Sequence, residues 1–270
     1  PKALSFSQIR TYQTCPHKYK LAHVLKLPGK GSASFSFGST MHNTLHKFYL
    51  RIKELNSASQ ASLFDVQPPT DPDEVSNADQ VDAPPLAELL EMYEASWIDD
   101  WYKTPEQKET YKKKGKEILK TFYKAEEGSW TIPAALESWF KIYVGEYAIQ
   151  GRIDRVDQLK DGTLEIIDYK TGRTREKLTS DDKSQLILYQ IAAETLPEYR
   201  HIGPTGKLTF HYLNDNVKTS FSGSTKDVEN LKEKLEGVLQ RIHAFDFTPT
   251  PSSFACSFCD YKQICEYRKL

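Results

Sequence analysis

Apolar residues recur at two periods along this chain, and the switches between them predict its elements. Ser5 or Ser7 can cap a first helix carrying Ile9, Tyr12 and Cys15, with Pro16 interrupting it. Gly29 to Ser36 reads as a small-residue loop. Met41, Leu45, Phe48 and Ile52 share a helical stripe, which predicts a helix over Gly38 to Leu55. Helical patterns return over Leu86 to Tyr102, Pro105 to Glu127, Asp181 to Leu196 and Lys226 to His243. Strand patterns fall between them. One lies within Trp130 to Ile142 and holds Glu137 and Trp139. Tyr143 to Leu159 with Thr163 to Tyr169 predicts a hairpin, and Lys207 to Leu213 with Val217 to Ser222 predicts another. Helices, strands, one helix, then strands again imply an α/β fold, with a central mixed sheet flanked by helices. There is no internal repeat.

The first hairpin carries the chemistry. It contains Gly151-Arg152-Ile153-Asp154-Arg155-Val156-Asp157 and Ile167-Asp168-Tyr169-Lys170-Thr171-Gly172. Asp168 and Lys170 are two apart, so a strand points them to one face. Asp161-Gly162 marks the turn, and the turn length sets the register. A two-residue loop would pair Asp154 with Tyr169 and send Asp154 to the opposite face. A three-residue loop, Lys160-Asp161-Gly162, pairs Asp154 with Asp168, with Gly162 in the left-handed position. The odd loop is therefore predicted. Converging carboxylates suit Mg²⁺ or Mn²⁺. Such an ion polarises a scissile phosphate and lowers the pKa of a bound water, which Lys170 would position or deprotonate. Gln185 and Tyr189, one turn apart on the next helix, share a face from which they could orient Lys170 or a phosphate.

Composition narrows the setting. The 270 residues are 39% hydrophobic and 27% charged, ordinary for a globular protein. No apolar run is long enough to span a bilayer, so a cytoplasmic protein with no membrane partner is expected. Pro1 stands where an initiator Met would, which fits either a processed start or a piece of a longer chain. The net charge is −1, without the global excess usual in a protein that holds nucleic acid unaided. Basic residues concentrate at Lys112-Lys113-Lys114 with Lys116, and from Lys170 to Lys177, and each cluster alone is explained by a solvated face or loop. Asn56 to Pro85 holds six acidic residues, five prolines and no Lys or Arg, the composition of a flexible acidic insertion.

Four cysteines remain: Cys15, Cys256, Cys259 and Cys265. Disulfides are out of place in the cytosol. Spacing alone leaves zinc and an iron–sulfur cluster comparable.

The hairpin residues resemble the PD-(D/E)xK nuclease superfamily, in particular the RecB-type nuclease domain at the C-terminus of helicase–nucleases. They also resemble its iron–sulfur relatives in AddB and in CRISPR-adaptation nucleases. The likeness runs along almost the whole chain. Leu4-Ser5-x-Ser7-Gln8-Ile9 through Cys15-Pro16-x-x-Tyr19 is similar to the family's opening helix, and Gly38-x-x-x-His42 to its first motif. The resemblance implies a restriction-endonuclease-like fold forming one nuclease domain over 1–270. It makes His42, Asp154 and Asp168 metal-site residues, Lys170 the catalytic lysine, and Gln185-x-x-x-Tyr189 the motif on the following helix. Glu137 matches an upstream acid, and His46 is left structural.

For the cysteines the resemblance implies a [4Fe–4S] cluster that staples residues 1–20 to 247–270, apart from the hydrolytic metal. The expected activity is metal-dependent hydrolysis of DNA, single-stranded by preference, with a helicase motor in cis or in trans presenting the strand in repair or recombination. Two alternatives are a non-catalytic DNA-binding or docking module of the same fold and a stand-alone CRISPR-adaptation nuclease. An intact Asp154, Asp168 and Lys170 argue against the first.

Overall fold

A computed structural model describes residues 3–63 and 81–269. Strand β1 (Leu4–Ser5) leads into helix α1 (Phe6–Thr14), whose N-cap Ser5 and Gln8 form a capping box. Pro16 then opens α2 (Pro16–Tyr19), where its missing N–H costs nothing, and a π-helical turn follows at Lys20–Val24. Helix α3 spans Ala33–Leu63, longer at both ends than the apolar stripe predicts. At its start, Ser32 Oγ accepts the Phe35 N–H at 3.2 Å, which turns part of the expected small-residue loop into a capped helix.

At the other end α3 takes in Asn56 to Leu63, the first residues of the expected acidic insertion. Residues 64–80 of that insertion lie outside the described residues. The Asn56 amide donates to Asp82 O at 2.8 Å and accepts from Asp82 N at 3.0 Å, which ties the two ends of the segment together.

Helices α4 (Leu86–Ala95) and α5 (Pro105–Glu126) follow. The first stops well short of Tyr102. Strands β2 (Ala135–Val144), β3 (Tyr147–Gln158) and β4 (Leu164–Lys170) form an antiparallel meander. Tyr143 belongs to β2 rather than to the predicted following strand, because Gly145, at φ +57°, turns the chain two residues later. Helices α6 (Ser180–Thr195) and α7 (Pro197–Arg200) cross over to β5 (Thr205–Tyr212), which runs parallel to β4. Then β6 (Val217–Phe221), α8 (Thr225–His243) and the short α9 (Ser253–Ser257) complete the chain.

The result is a mixed α/β sheet with helices on both faces. β2 lies on one side of β3. On the other side β3 meets β1 in parallel and β4 in antiparallel pairing, and β5 and β6 extend the sheet. One core packs α1, α2, α6 and α8 against Phe140, Ile142, Ile149, Ile166, Leu208 and Phe210. The other packs α3, α4 and α5 against Ile167 and Tyr169. No described helix is long and apolar enough to cross a membrane.

Between α3 and the sheet lies a polar knot. The Arg155 guanidinium donates to Asp157 Oδ1 at 2.7 Å and to the Tyr169 hydroxyl at 3.1 Å, and it sits 3.8 Å from the Tyr49 ring centroid. Thr131 donates to Asp157 Oδ2 at 2.6 Å. Arg155 and Asp157 are both buried, so removing one partner strands the other's charge. Asp157→Ala is expected to cost about 3–5 kcal/mol of stability, measured by chemical denaturation; a loss under about 1 kcal/mol, the scale of an exposed pair, would refute this account of the knot.

Candidate active site

The turn between β3 and β4 is the odd loop. Gly162 N–H donates to Leu159 O at 2.9 Å, Leu159 N–H donates to Thr163 O at 2.8 Å, and Gly162 has φ +81°. Pairing then runs from Gln158↔Leu164 to Arg155↔Ile167. The next step of that register sets Asp154 opposite Asp168, but there backbone pairing stops. Asp154 Oδ2 instead accepts the Tyr169 N–H at 2.9 Å.

The β2–β3 ladder shows a matching lapse. Leu136↔Arg155 and Ser138↔Ile153 are paired, and the step between them, Glu137 opposite Asp154, is not. Glu137 has φ +44°, a left-handed backbone. Both strands change phase at this row. Leu136 packs toward the α3 side, whereas Phe140, Ile142 and Ile153 pack toward α6, and so does Val156. Strict alternation would set Ile153 and Val156 on opposite faces. The slip of one residue lets Glu137 and Asp154 swing toward α3.

His42 meets them from α3. Its Nε2 donates to Tyr169 O at 3.0 Å, and its Nδ1 lies 3.2 Å from Asp154 Oδ2. His42, Glu137 and Asp154 each offer a ligand atom within 4.8 Å of the other two. His46, one turn further on, is not in this group.

Asp168 and Lys170 point toward α6, so the slip takes Asp154 off the face that the odd loop predicts it to share with Asp168, although Asp168 stays within electrostatic reach of His42 and Asp154. Asp168 is buried, and its Oδ2 sits 2.5 Å from Lys170 Nζ in a geometry that satisfies no hydrogen bond. Lys170 Nζ donates to Gln185 Oε1 at 2.9 Å, and Gln185 Nε2 donates to the Tyr189 hydroxyl at 2.9 Å. The capping box at Thr179 and Asp182 starts α6 so that Gln185 faces the sheet. The site opens into a groove of about 390 Å³ lined by Phe35, Gly38, Ser39, His42, Glu137 and Arg152.

The electrostatics match a cation site. Burial lowers the His42 pKa, but the charges of Asp154, Asp168 and Glu137 outweigh it and carry the group up to about 9. Burial pushes Asp168 up to about 6; Lys170 opposes the rise and Asp154 adds to it. Burial, then the Asp154 charge, also raises Glu137. Crowded acids with one imidazole make a candidate site for a hard divalent cation. The His42 Nε2–H is held by a carbonyl, so the neutral ring would turn the Nδ1 lone pair toward the acids.

All four cysteines line a second, small cavity, of about 30 Å³, together with His17, Pro249 and Tyr267. All four are free thiols. The Lys269 N–H donates to Cys256 Sγ at 3.4 Å. The terminal segments also join through protein contacts alone. Tyr12 OH donates to Asp246 O at 2.5 Å, Tyr261 OH donates to Leu27 O at 2.9 Å, and Lys18 pairs with Asp260 at 3.5 Å.

Two residues carry roles that the sequence does not assign them. Arg155 and Asp157 belong to the knot that anchors the Tyr169 ring, and the Tyr169 peptide groups in turn hold His42 and Asp154. The signal was present as an Arg and an Asp alternating within a strand, a pattern that puts both on one face. The basic cluster on α5, in contrast, is partly neutralised: Lys112 and Lys116 pair with Glu94 at 2.6 and 2.5 Å.

The family comparison decides the class. The PD-(D/E)XK nuclease superfamily model matches residues 3–266. This chain belongs to the PD-(D/E)XK nuclease superfamily. Membership implies a nuclease-type hydrolase. The chain is 25% identical over 300 residues to the Gene 69 protein of Mycobacterium phage L5, across 97% of this chain and 95% of that protein. The Gene 69 protein of Mycobacterium phage D29 is 27% identical over 146 residues, 50% of each chain. A crystal structure of SSO0001 aligns with 61% of this chain and 81% of its own at 15% identity, with a TM-score of 0.36.

The His42 shift has a stability consequence in metal-free protein. Its folded pKa, about 9, exceeds the unfolded value of 6.5. Its contribution is therefore fully present below pH 6.5 and lost as pH rises through 9. With chelator present, wild type should lose stability across that window relative to His42→Asn. Parallel denaturation curves for the two proteins from pH 6.5 to 9 would refute the assignment.

Proposed function

We propose that this nuclease is a Mg²⁺- or Mn²⁺-dependent deoxyribonuclease that hydrolyses single-stranded DNA, with His42, Glu137, Asp154 and Asp168 holding the metal. The observation that carries the reading is the convergence of His42, Glu137 and Asp154 to within 4.8 Å beside a buried Asp168–Lys170 pair. The bound ion would supply phosphate polarisation and a water of lowered pKa.

The protein side chains do the positioning. Lys170 is an ammonium with three donors. One goes to Gln185, Asp168 fixes the charge, and a remaining N–H is available to a phosphate oxygen as negative charge builds. The Tyr189 hydroxyl accepts from the Gln185 amide and holds it from behind, and its own pKa is raised by burial and by Asp168, which keeps the hydroxyl neutral. Asp168→Ala and Lys170→Ala should each reduce cleavage of a single-stranded oligonucleotide by at least about 100-fold, on the scale of general acid–base and electrostatic catalysis. Chelator should abolish the wild-type activity. Full activity of either variant, or activity that survives chelation, would overturn the mechanism.

The reading extends to the cysteines. Four free thiols around one cavity, one from the α1–α2 junction and three from the C-terminal segment, support a [4Fe–4S] cluster that adds to the contacts joining the two ends. Protein purified without oxygen should be brown, and Cys259→Ser should bleach it. Colourless wild-type protein containing stoichiometric zinc would replace the cluster with a zinc site. The net charge of −1 favours a substrate delivered by a partner, for which a helicase motor in cis or in trans is proposed.

A further inference from the structure

The outward face of β2 is unusual for a sheet surface. Glu137, Trp139, Lys141 and Tyr143 alternate along it, and Trp139 and Tyr143 are 57% and 65% exposed. Their neighbours Phe140, Ile142 and Val144 point into the core, so the rings are not there to build it. Lys141 Nζ lies 5.7 Å from the Tyr143 ring centroid. Across the ladder, Trp139 pairs with Arg152, whose side chain is exposed and reaches Glu137 at 3.2 Å. Among the described residues β2 pairs only with β3 and no helix covers these rings, and the stripe runs without interruption into the groove that holds His42 and Glu137. Phe35, 69% exposed, stands at the same groove.

From these observations we propose that the outward face of β2 is a binding track for single-stranded DNA. Bases stack on Trp139 and Tyr143, Lys141 and Arg152 neutralise the phosphates between them, and the strand leads into the groove at Glu137. The two rings are about 13 Å apart along the strand, with the lysine midway. Exposed aromatics interleaved with cations are the chemistry by which unpaired nucleotides are held without regard to sequence. A duplex buries its base faces and cannot use the rings. The chain carries no global positive charge, so stacking supplies what a basic surface otherwise would. The proposal rests on the nuclease reading for its choice of ligand, but its test needs no cleavage.

The test is fluorescence anisotropy with a labelled single-stranded DNA oligonucleotide and its duplex, in chelator so that nothing is cut. Wild type should prefer the single strand. Trp139→Ala and Tyr143→Ala should each weaken single-strand binding about tenfold, and Trp139→Phe should retain most of it. Lys141→Ala should lower the salt slope of log K by about one. It provides an independent arm if either ring proves necessary for folding. Unchanged single-strand affinity in both alanine variants, or equal affinity for duplex, would overturn the track. So would concentration-dependent self-association in sedimentation that Trp139→Ala abolishes, since the face would then join two copies. Binding without metal-dependent cleavage would refute the nuclease reading alone, and cleavage with unaffected ring variants would refute the track alone.

Discussion

Carboxylates cannot be buried side by side in a regular β-ladder, and the site follows from how this sheet meets that constraint. Glu137, Asp154 and Asp168 would fall in one row across three neighbouring strands. Their charges repel, and each loses water on burial, which raises the pKa values of Glu137 and Asp168. At this row the ladder gives way on both sides of β3. Glu137 takes a left-handed backbone, Asp154 accepts a peptide N–H from the neighbouring strand, and Asp168 is balanced by Lys170. The irregularity turns two acids toward His42 and leaves the third facing α6. A flawless sheet would have kept all three acids in one row on a single face, away from the imidazole on α3.

The parts of this arrangement that the sequence disclosed are those governed by local rules. The register of Asp154 against Asp168 depends on one turn, and Asp161-Gly162 has a short menu of conformations, so counting residues gives the register, though not the loss of the shared face. The spacing of Gln185 and Tyr189 is one helical turn, and the helix delivers both to Lys170. The phase slip at Glu137 was not legible. It arises from repulsion and burial among residues brought together from separate strands, and Glu137 is not a residue type that announces positive φ. The ends of α3 depart from the apolar periodicity for a related reason. The apolar stripe stops at Ile52, but a capping serine at one end and the Asn56–Asp82 pairing at the other carry the helix beyond it.

Tyr169 links the two cores to the chemistry. Its ring is buried on the α3 side and fixed by Arg155, while its peptide N–H and carbonyl hold Asp154 and His42. Two site residues are thus positioned by backbone atoms, which have no rotamer freedom, and that backbone is pinned by an ion pair shielded from water. Such support matters most where like charges crowd.

The cysteine cavity stands in a different relation to the site. Its thiols come from the α1–α2 junction and the C-terminal segment, and neither contributes a residue to the carboxylate row. The same two segments are already held by Tyr12, Tyr261 and Lys18. The proposed cluster would therefore close a loop of nearly the whole chain on ends that are already in contact. Its entropic effect would fall on the unfolded chain, by restricting the separation of the ends, rather than on the geometry around Asp168. Chemistry and closure are thereby separable. The acids answer to the local irregularity of three strands, and the thiols answer to the meeting of two termini.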